Sequence, residues 1–163
     1  MNIETAVSEY LWGEIKQNYE EGRFTDAIKD CIMHLSNVIR EKSNVEGDGV
    51  QLIGDAFGGI APKIQVTKLK SENDKNVQRG VEALLRGIYQ AVRNPRSHDR
   101  ISDSQRDADA IILFVDYLLR IINQSQSQFS LDPYLSRVFD NSFVGYSGNL
   151  VAGMGQEAEE LLE

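Results

Sequence analysis

Within six residues, Arg93-Asn94-Pro95-Arg96-Ser97-His98 brings together a permanently charged guanidinium, a side-chain amide and a titratable imidazole. Elsewhere the means for catalysis are sparse, because His34 and His98 are the only histidines and Cys31 is the only cysteine. A histidine metal cluster, a cysteine zinc site, a Cys–His hydrolase and an intrachain disulfide therefore cannot be assembled within one chain. No Gly-x-Ser-x-Gly elbow is present, and the glycines between 47 and 59 lack the Gly-Lys-Ser/Thr of a phosphate-cradling loop. What remains is chemistry on a substrate that carries its own nucleophile. In RNA a 2′-hydroxyl attacks the adjacent phosphate once one group accepts its proton and another stabilises the charge on the non-bridging oxygens. An imidazole titrates near neutrality and suits the first task. A guanidinium fork matches phosphate oxygens and suits the second. His98 and Arg93 are the candidates for those roles, with Asn94 as an orienting amide and Arg79, Arg86 and Arg96 as candidates for holding substrate. One histidine serves one side of acid–base catalysis only, so a second copy of the chain would complete the set.

These residues end an amphipathic stretch. From Val77 to His98, Val77, Val81, Leu84, Leu85, Ile88 and Val92 fall on one side of a helical wheel. Arg79, Arg86 and Arg93 recur every seven residues on the other. Pro95 is expected to stop or kink this helix, with Asn94 as the cap of a further turn. Without such a break, Arg93 and His98 are about 140° apart around the axis. The plainer reading stays open beside this one: Glu82 and Arg86 form an (i, i+4) pair on a solvated face, and Asn-Pro with Arg93 near a helix end is ordinary helix punctuation.

The elements that position the motif are helical. Ile3 to Tyr19 spaces apolar residues as a first helix over 3 to 20, and Gly22 ends it. Thr25 is the expected N-cap of a second helix running through Ile28, Cys31, Leu35 and Ile39 to near Lys42. Val50 to Phe57 suits a short third helix closed by Gly58-Gly59, and 59 to 75 reads as a partly extended connection. Asp103 and Ser104 are candidate caps for a strongly apolar helix of about 20 residues ending near Ile122, expected to be the most buried. Cys31 reads as buried packing and His34 as a boundary residue. Residues 124 to 128, Gln-Ser-Gln-Ser-Gln, form a polar link. Beyond it, 132 to 139 suits a short helix, while the glycine-spaced 143 to 155 and the acidic end suit a docking segment or tail. The expected organisation is a helical domain over 1–124 and a less regular C-terminal extension over 125–163.

At 163 residues, one domain that buries roughly two-thirds of its unfolded surface is expected. A net charge of −8 argues against non-specific nucleic-acid binding over the whole surface. Charge is uneven, however: from Arg79 to Arg106 six arginines face only Glu82, Asp99 and Asp103, which permits a local anion site. No apolar run approaches the roughly 18 residues of a membrane span, and Met1-Asn2-Ile3-Glu4 lacks a signal-peptide pattern. A cytoplasmic location without membrane association is expected.

Arg93-Asn94-x-x-x-His98, placed before a long helix, resembles the R-x4–6-H signature of the HEPN superfamily of all-α domains. The wider pattern resembles the Ymh-type family of HEPN-like bacterial and phage proteins over about residues 10 to 122. It comprises Glu21-Gly22-Arg23-Phe24-Thr25-Asp26-Ala27, Asp48-Gly49-Val50-Gln51-Leu52-Ile53, Gln78-Arg79-Gly80 and Leu85-Arg86-Gly87. The resemblance implies an all-α, HEPN-like bundle of four to five helices that forms a homodimer with the two motifs at its interface. It also implies a metal-independent endoribonuclease with no cofactor, in which Arg93 and His98 match the catalytic pair and Asn94 the intervening polar residue. Such proteins act as toxins or abortive-infection effectors in phage defence, with an antitoxin or other regulatory protein as partner. Other HEPN domains are non-catalytic and bind nucleotides or proteins, and that alternative is kept.

Overall fold

The structure, a computed structural model, describes residues 2–98 and 101–127. The chain divides into two units, Met1–Phe129 and Ser130–Glu163, and all described residues belong to the first. The short helix expected over 132 to 139 and the glycine-spaced run after it lie outside the described residues.

The first unit is an all-α helical bundle, as its apolar periodicity predicts. Its centre is α3 (Phe24–Ser43), whose Ala27, Ile28, Cys31, Ile32, Leu35 and Ile39 recur at helical spacing and are buried. The helix ends where Asn44 turns into the left-handed region at φ 50°, a conformation asparagine tolerates. Against α3 pack α2 (Glu9–Glu20) and α7 (Gln105–Gln124), which buries Ala108, Ile112, Val115, Leu118, Leu119 and Ile122. α7 runs its expected length from a Ser104 cap, but α3 buries the larger share, since it is covered by α2, α7 and the helix over Gly49–Phe57 together.

The expected first helix over 3 to 20 is two helices, α1 (Ile3–Ala6) and α2. Ser8 breaks it. Its backbone N–H donates to buried Asp116 Oδ1 at 2.9 Å, and its hydroxyl accepts from Leu11 N–H, so Ser8 caps α2 rather than continuing α1. Thr25 is likewise not an N-cap but lies inside α3, which Arg23 precedes. Its hydroxyl accepts from the Asp103 N–H at 3.0 Å and donates to Asp103 Oδ2 at 2.9 Å, a tertiary partnership invisible to local spacing.

After α4 (Gly49–Phe57), the connection contains a two-residue strand β1 (Ile64–Gln65). Gln126 and Ser127 of the expected polar link form β2, antiparallel to it. Gln78, buried on α5 (Glu72–Gly87), fastens this connection: its amide donates to the Phe57 and Ile64 carbonyls at 3.0 and 2.9 Å and accepts from the Val66 N–H at 2.9 Å. A buried amide with three of its groups satisfied stabilises one path of the backbone. α5 starts earlier than Val77 because Ser71 and Asp74 form a reciprocal capping box.

The proline break does not occur as expected. α5 passes without interruption into a π-helical turn, Ile88–Arg93, and then into α6 (Asn94–His98). Asn94 is not the N-cap of a separate turn but is helical at φ −58°, ψ −48°, and its N–H bonds the Tyr89 carbonyl five residues back. An α-helical ladder would press the Pro95 ring against the Ala91 carbonyl, and the wider π turn relieves that clash without ending the helix. The carbonyls beside the proline are also met by side chains. Arg96 Nη1 donates to Val92 O at 2.8 Å and Ser97 Oγ to Arg93 O at 3.0 Å.

Candidate functional site

The π turn places Tyr89 and Arg93 one turn apart, Tyr89 facing inward and Arg93 at the surface. Tyr89 is fully buried, and its hydroxyl lies 2.6 Å from Ser36 Oγ. Ser36 has one proton and donates it to the Ile32 carbonyl at 2.9 Å, so the phenol must be the donor to Ser36. Burial above all raises the Tyr89 phenol above its ordinary range, which keeps that donor protonated at neutral pH. Anchored in this way, the ring is a fixed platform. The Arg93 guanidinium carbon lies 5.8 Å from its centroid, within cation–π range.

Arg93 Nη2 meets Asp48 Oδ2 at 2.5 Å, while Arg40 Nη2, on α3, meets Asp48 Oδ1 at 3.3 Å. Arg40 is held independently by Asn37 Oδ1 and the Gly47 carbonyl, each at 2.8 Å. Asp48 occupies the N-cap position of α4, yet its side chain makes no cap hydrogen bond. Neighbouring Gly47 and Gly49 have φ values of 115° and 61°, which L side chains rarely adopt, so glycine is needed on both sides of this aspartate.

The other sequence candidates are placed differently. Arg96 is clasped to Asp103 through two parallel bonds, Nη2–Oδ1 at 2.5 Å and Nε–Oδ2 at 2.9 Å, with side chains only 11% and 5% exposed. Burial alone would raise the Asp103 carboxyl, but the Arg96 and Thr25 hydrogen bonds and the Arg96 charge outweigh it and hold it below the ordinary carboxylate range. Arg86 is a strut between helices, with Nε and Nη2 on Glu82 Oε1 and Nη1 on the Val50 carbonyl at 3.2 Å. A Cβ on Gly54 would stand 2.6 Å from its Nη2, so the glycine makes room for the strut. Arg79 is exposed, bonds Asn76, and with Lys75 rims an apolar groove of about 450 Å³ lined by Phe57, Ile60, Pro62 and Leu69. Asn94 is exposed.

His98 is the last residue of α6, and its imidazole lies outside the described residues. The backbone from Arg93 to His98 is helical, so the two positions stand about 140° apart around the axis, and the break expected at Pro95 does not separate them. Cys31 is buried, and burial first, then the Asp116 and Asp30 charges, push its thiol well above the ordinary range, which removes it as a nucleophile. Among the described residues no three His, Cys, Asp or Glu side chains gather as a metal site, and no helix is long and apolar enough to cross a membrane.

Two residues of this cluster, Arg40 and Asp48, were not candidates for the site, although Asp48 opens the Asp48–Ile53 segment of the family pattern. Arg40 reads as a basic helix end and Asp48 as part of a glycine turn. Only the eight-residue spacing across that turn could have hinted at their pairing.

Fold and site together define an all-α bundle with Arg93 displayed at a helix surface over the Tyr89 ring. The chain matches the model of Hypoth_ymh, described as a protein of unknown function, over residues 5–122, and belongs to that family. No curated protein matches it, and no solved structure does.

Proposed function

We propose that the protein is a metal-independent endoribonuclease of the HEPN type that works as a homodimer. The 2′-oxygen of one ribose attacks the adjacent phosphorus while an imidazole takes its proton. The P–O5′ bond breaks, and an acid returns a proton to the leaving 5′-oxygen, giving a 2′,3′-cyclic phosphate and a 5′-hydroxyl. Arg93 grips the non-bridging oxygens and Asn94 orients the phosphate. His98 of one copy serves as base and that of the other as acid, because a single histidine serves only one side of acid–base catalysis.

The observation that carries this reading is the outer face of α5 and the π turn. Val77 and Leu84 are 43% and 45% exposed, and a Cβ on Gly80 or Gly87 would meet nothing within 4 Å. Between Gly80 and Asn94 the exposed residues Ala83, Leu84, Gln90 and Ala91 include no charge. An uncharged, small-residue helix face suits close approach of a second identical helix, and it leads directly to Arg93, Asn94 and His98. Toxin or abortive-infection activity, and control by an antitoxin, follow from the same reading.

Purified protein incubated with single-stranded RNA in the presence of EDTA tests it. Cleavage to cyclic-phosphate ends is expected, and His98→Ala should lower the rate by about 10²- to 10⁴-fold with the fold retained. Leu84→Glu should yield a folded, inactive monomer in sedimentation. Absence of cleavage by a confirmed dimer, or a His98→Ala variant as fast as the parent, sinks the proposal. The Lys75/Arg79 groove favours a second reading, a non-catalytic dimer that holds a nucleotide or an acidic partner. It predicts binding lost on Arg79→Ala with no RNA turnover.

A further inference from the structure

We infer that Arg40 and Arg93 form a two-arginine site for a phosphodiester of the RNA strand, and that Asp48 is a built-in plug standing where the phosphate would bind. The inference rests on the ribonuclease reading for the identity of the strand, but the site itself is read from the described side chains. The two guanidiniums reach Asp48 from different helices and contact different oxygens, 3.3 Å to Oδ1 and 2.5 Å to Oδ2. Two donors on two oxygens of one anion is the pattern a phosphodiester offers through its two non-bridging oxygens.

Neither arginine depends on Asp48 alone for its position. Arg40 is also bonded to Asn37, and Arg93 stacks on the Tyr89 ring that Ser36 fixes. The plug is built differently from its socket. Asp48 sits at the N-cap of α4 but gives its oxygens to the arginines, leaving the helix without a side-chain cap. Its glycine neighbours adopt φ values of 115° and 61°, so the loop follows a path open to glycine, held at Gly47 by the Arg40 Nε bond to its carbonyl. With Asp48 44%, Arg40 32% and Arg93 35% exposed, a ligand has access to all three. When the carboxylate swings to the α4 N–H groups it gains the missing cap, and the two arginines are freed for phosphate. One aspartate thus has two sets of partners. The strand competes with it for one of them.

The test uses the full chain and a single-stranded 2′-O-methyl oligonucleotide, which lacks the nucleophile and so reports binding alone. Asp48→Asn keeps a good cap residue while removing the charge, and Asp48→Ser does the same with a different side chain; thermal unfolding confirms that both fold. Each should bind the oligonucleotide roughly tenfold tighter than the parent, with a salt dependence steeper by about 0.7 in the log–log slope for the added phosphate contact. Adding Arg40→Ala to Asp48→Asn should erase the gain. The inference is overturned if the folded Asp48 variants bind no tighter, or not at all, if Arg40→Ala leaves their affinity unchanged, or if equimolar inorganic phosphate displaces the strand. Failure of the nuclease reading looks different: the binding series behaves as stated while native RNA stays intact. Conversely, His98-dependent cleavage without tighter binding removes the plug and leaves the nuclease.

Discussion

Arg93 and Arg96 stand three residues apart on one continuous helical segment, and each holds an aspartate, yet the two pairs do opposite things. Arg96 meets Asp103 through a two-pronged contact, gives its remaining terminal nitrogen to Val92 O, and is largely shielded from water. Arg93 meets Asp48 through one nitrogen, in the open, on a loop that glycines permit. A buried bidentate pair fixes geometry because neither partner can leave without stranding the other's charge. An exposed pair is screened by water, contributes little to stability, and can exchange its carboxylate for another anion. The same residue types, one helical turn apart, thus divide according to burial into a shielded clasp and an accessible pair, and the accessible pair is the proposed site.

The largest effect expected from breaking this contrast falls on the frame. Arg96→Met should lower stability by about 3 kcal/mol, the low end for removing one partner of a buried pair, because Asp103 keeps Thr25. Urea denaturation followed by circular dichroism reads this directly, and a loss under 1 kcal/mol would show that the clasp is not buried in solution. The pH dependence has a definite sign. The Asp103 carboxyl is held below its ordinary value in the fold, so its contribution is fully present above the unfolded value of about 3.9 and disappears as pH falls through the lower folded value. The urea midpoint of the parent should therefore fall toward that of Arg96→Met only in strong acid, and the gap between them should be constant from pH 5 to 8.

An intermediate effect belongs to the platform. Tyr89→Phe keeps the ring under Arg93 but removes the hydroxyl that donates to Ser36, which retains its own bond to Ile32. About 1 kcal/mol should be lost, with RNA binding nearly unchanged. Tyr89→Leu removes the platform as well, and weaker RNA binding by that variant than by Tyr89→Phe sharpens the separation between support and site.

What could be read before the fold was seen follows the same division. α3, α4 and α7 were legible because their apolar residues recur at 3.6-residue spacing and are covered by neighbours within the same chain. Val77 and Leu84 match Val81 and Leu85 in character but stay exposed, because periodicity marks an apolar face without saying what covers it. The unbroken helix over 3 to 20 and the Thr25 cap failed for a related reason: Ser8 and Thr25 are engaged by aspartates 108 and 78 residues away, Asp116 and Asp103, and local propensity does not register such partners. At the site, the position and charge of Arg93 were legible, whereas its partners were not. Asp48 comes near Arg93 only because α4 packs beside the π turn, and Pro95 was given a bend that the π turn absorbs instead.

The smallest stability effect is expected where the functional effect is greatest. Arg93→Ala removes a contact to an aspartate that Arg40 still holds and a cation from a ring whose burial does not depend on it. Its cost should be within about 1 kcal/mol, as for exposed ion pairs, and a thermal melt should barely distinguish it from the parent. RNA cleavage, by contrast, should fall to background, because the arginine of α6 cannot take its place: Arg96 is already closed on Asp103. Arg93→Lys should not restore it, since an ammonium places a point charge where two oxygens need a planar pair of donors. If Arg93→Ala instead unfolds the protein, or if Lys restores full activity, then Arg93 is either a second frame residue or a simple counter-charge, and the contrast with Arg96 no longer separates structure from chemistry.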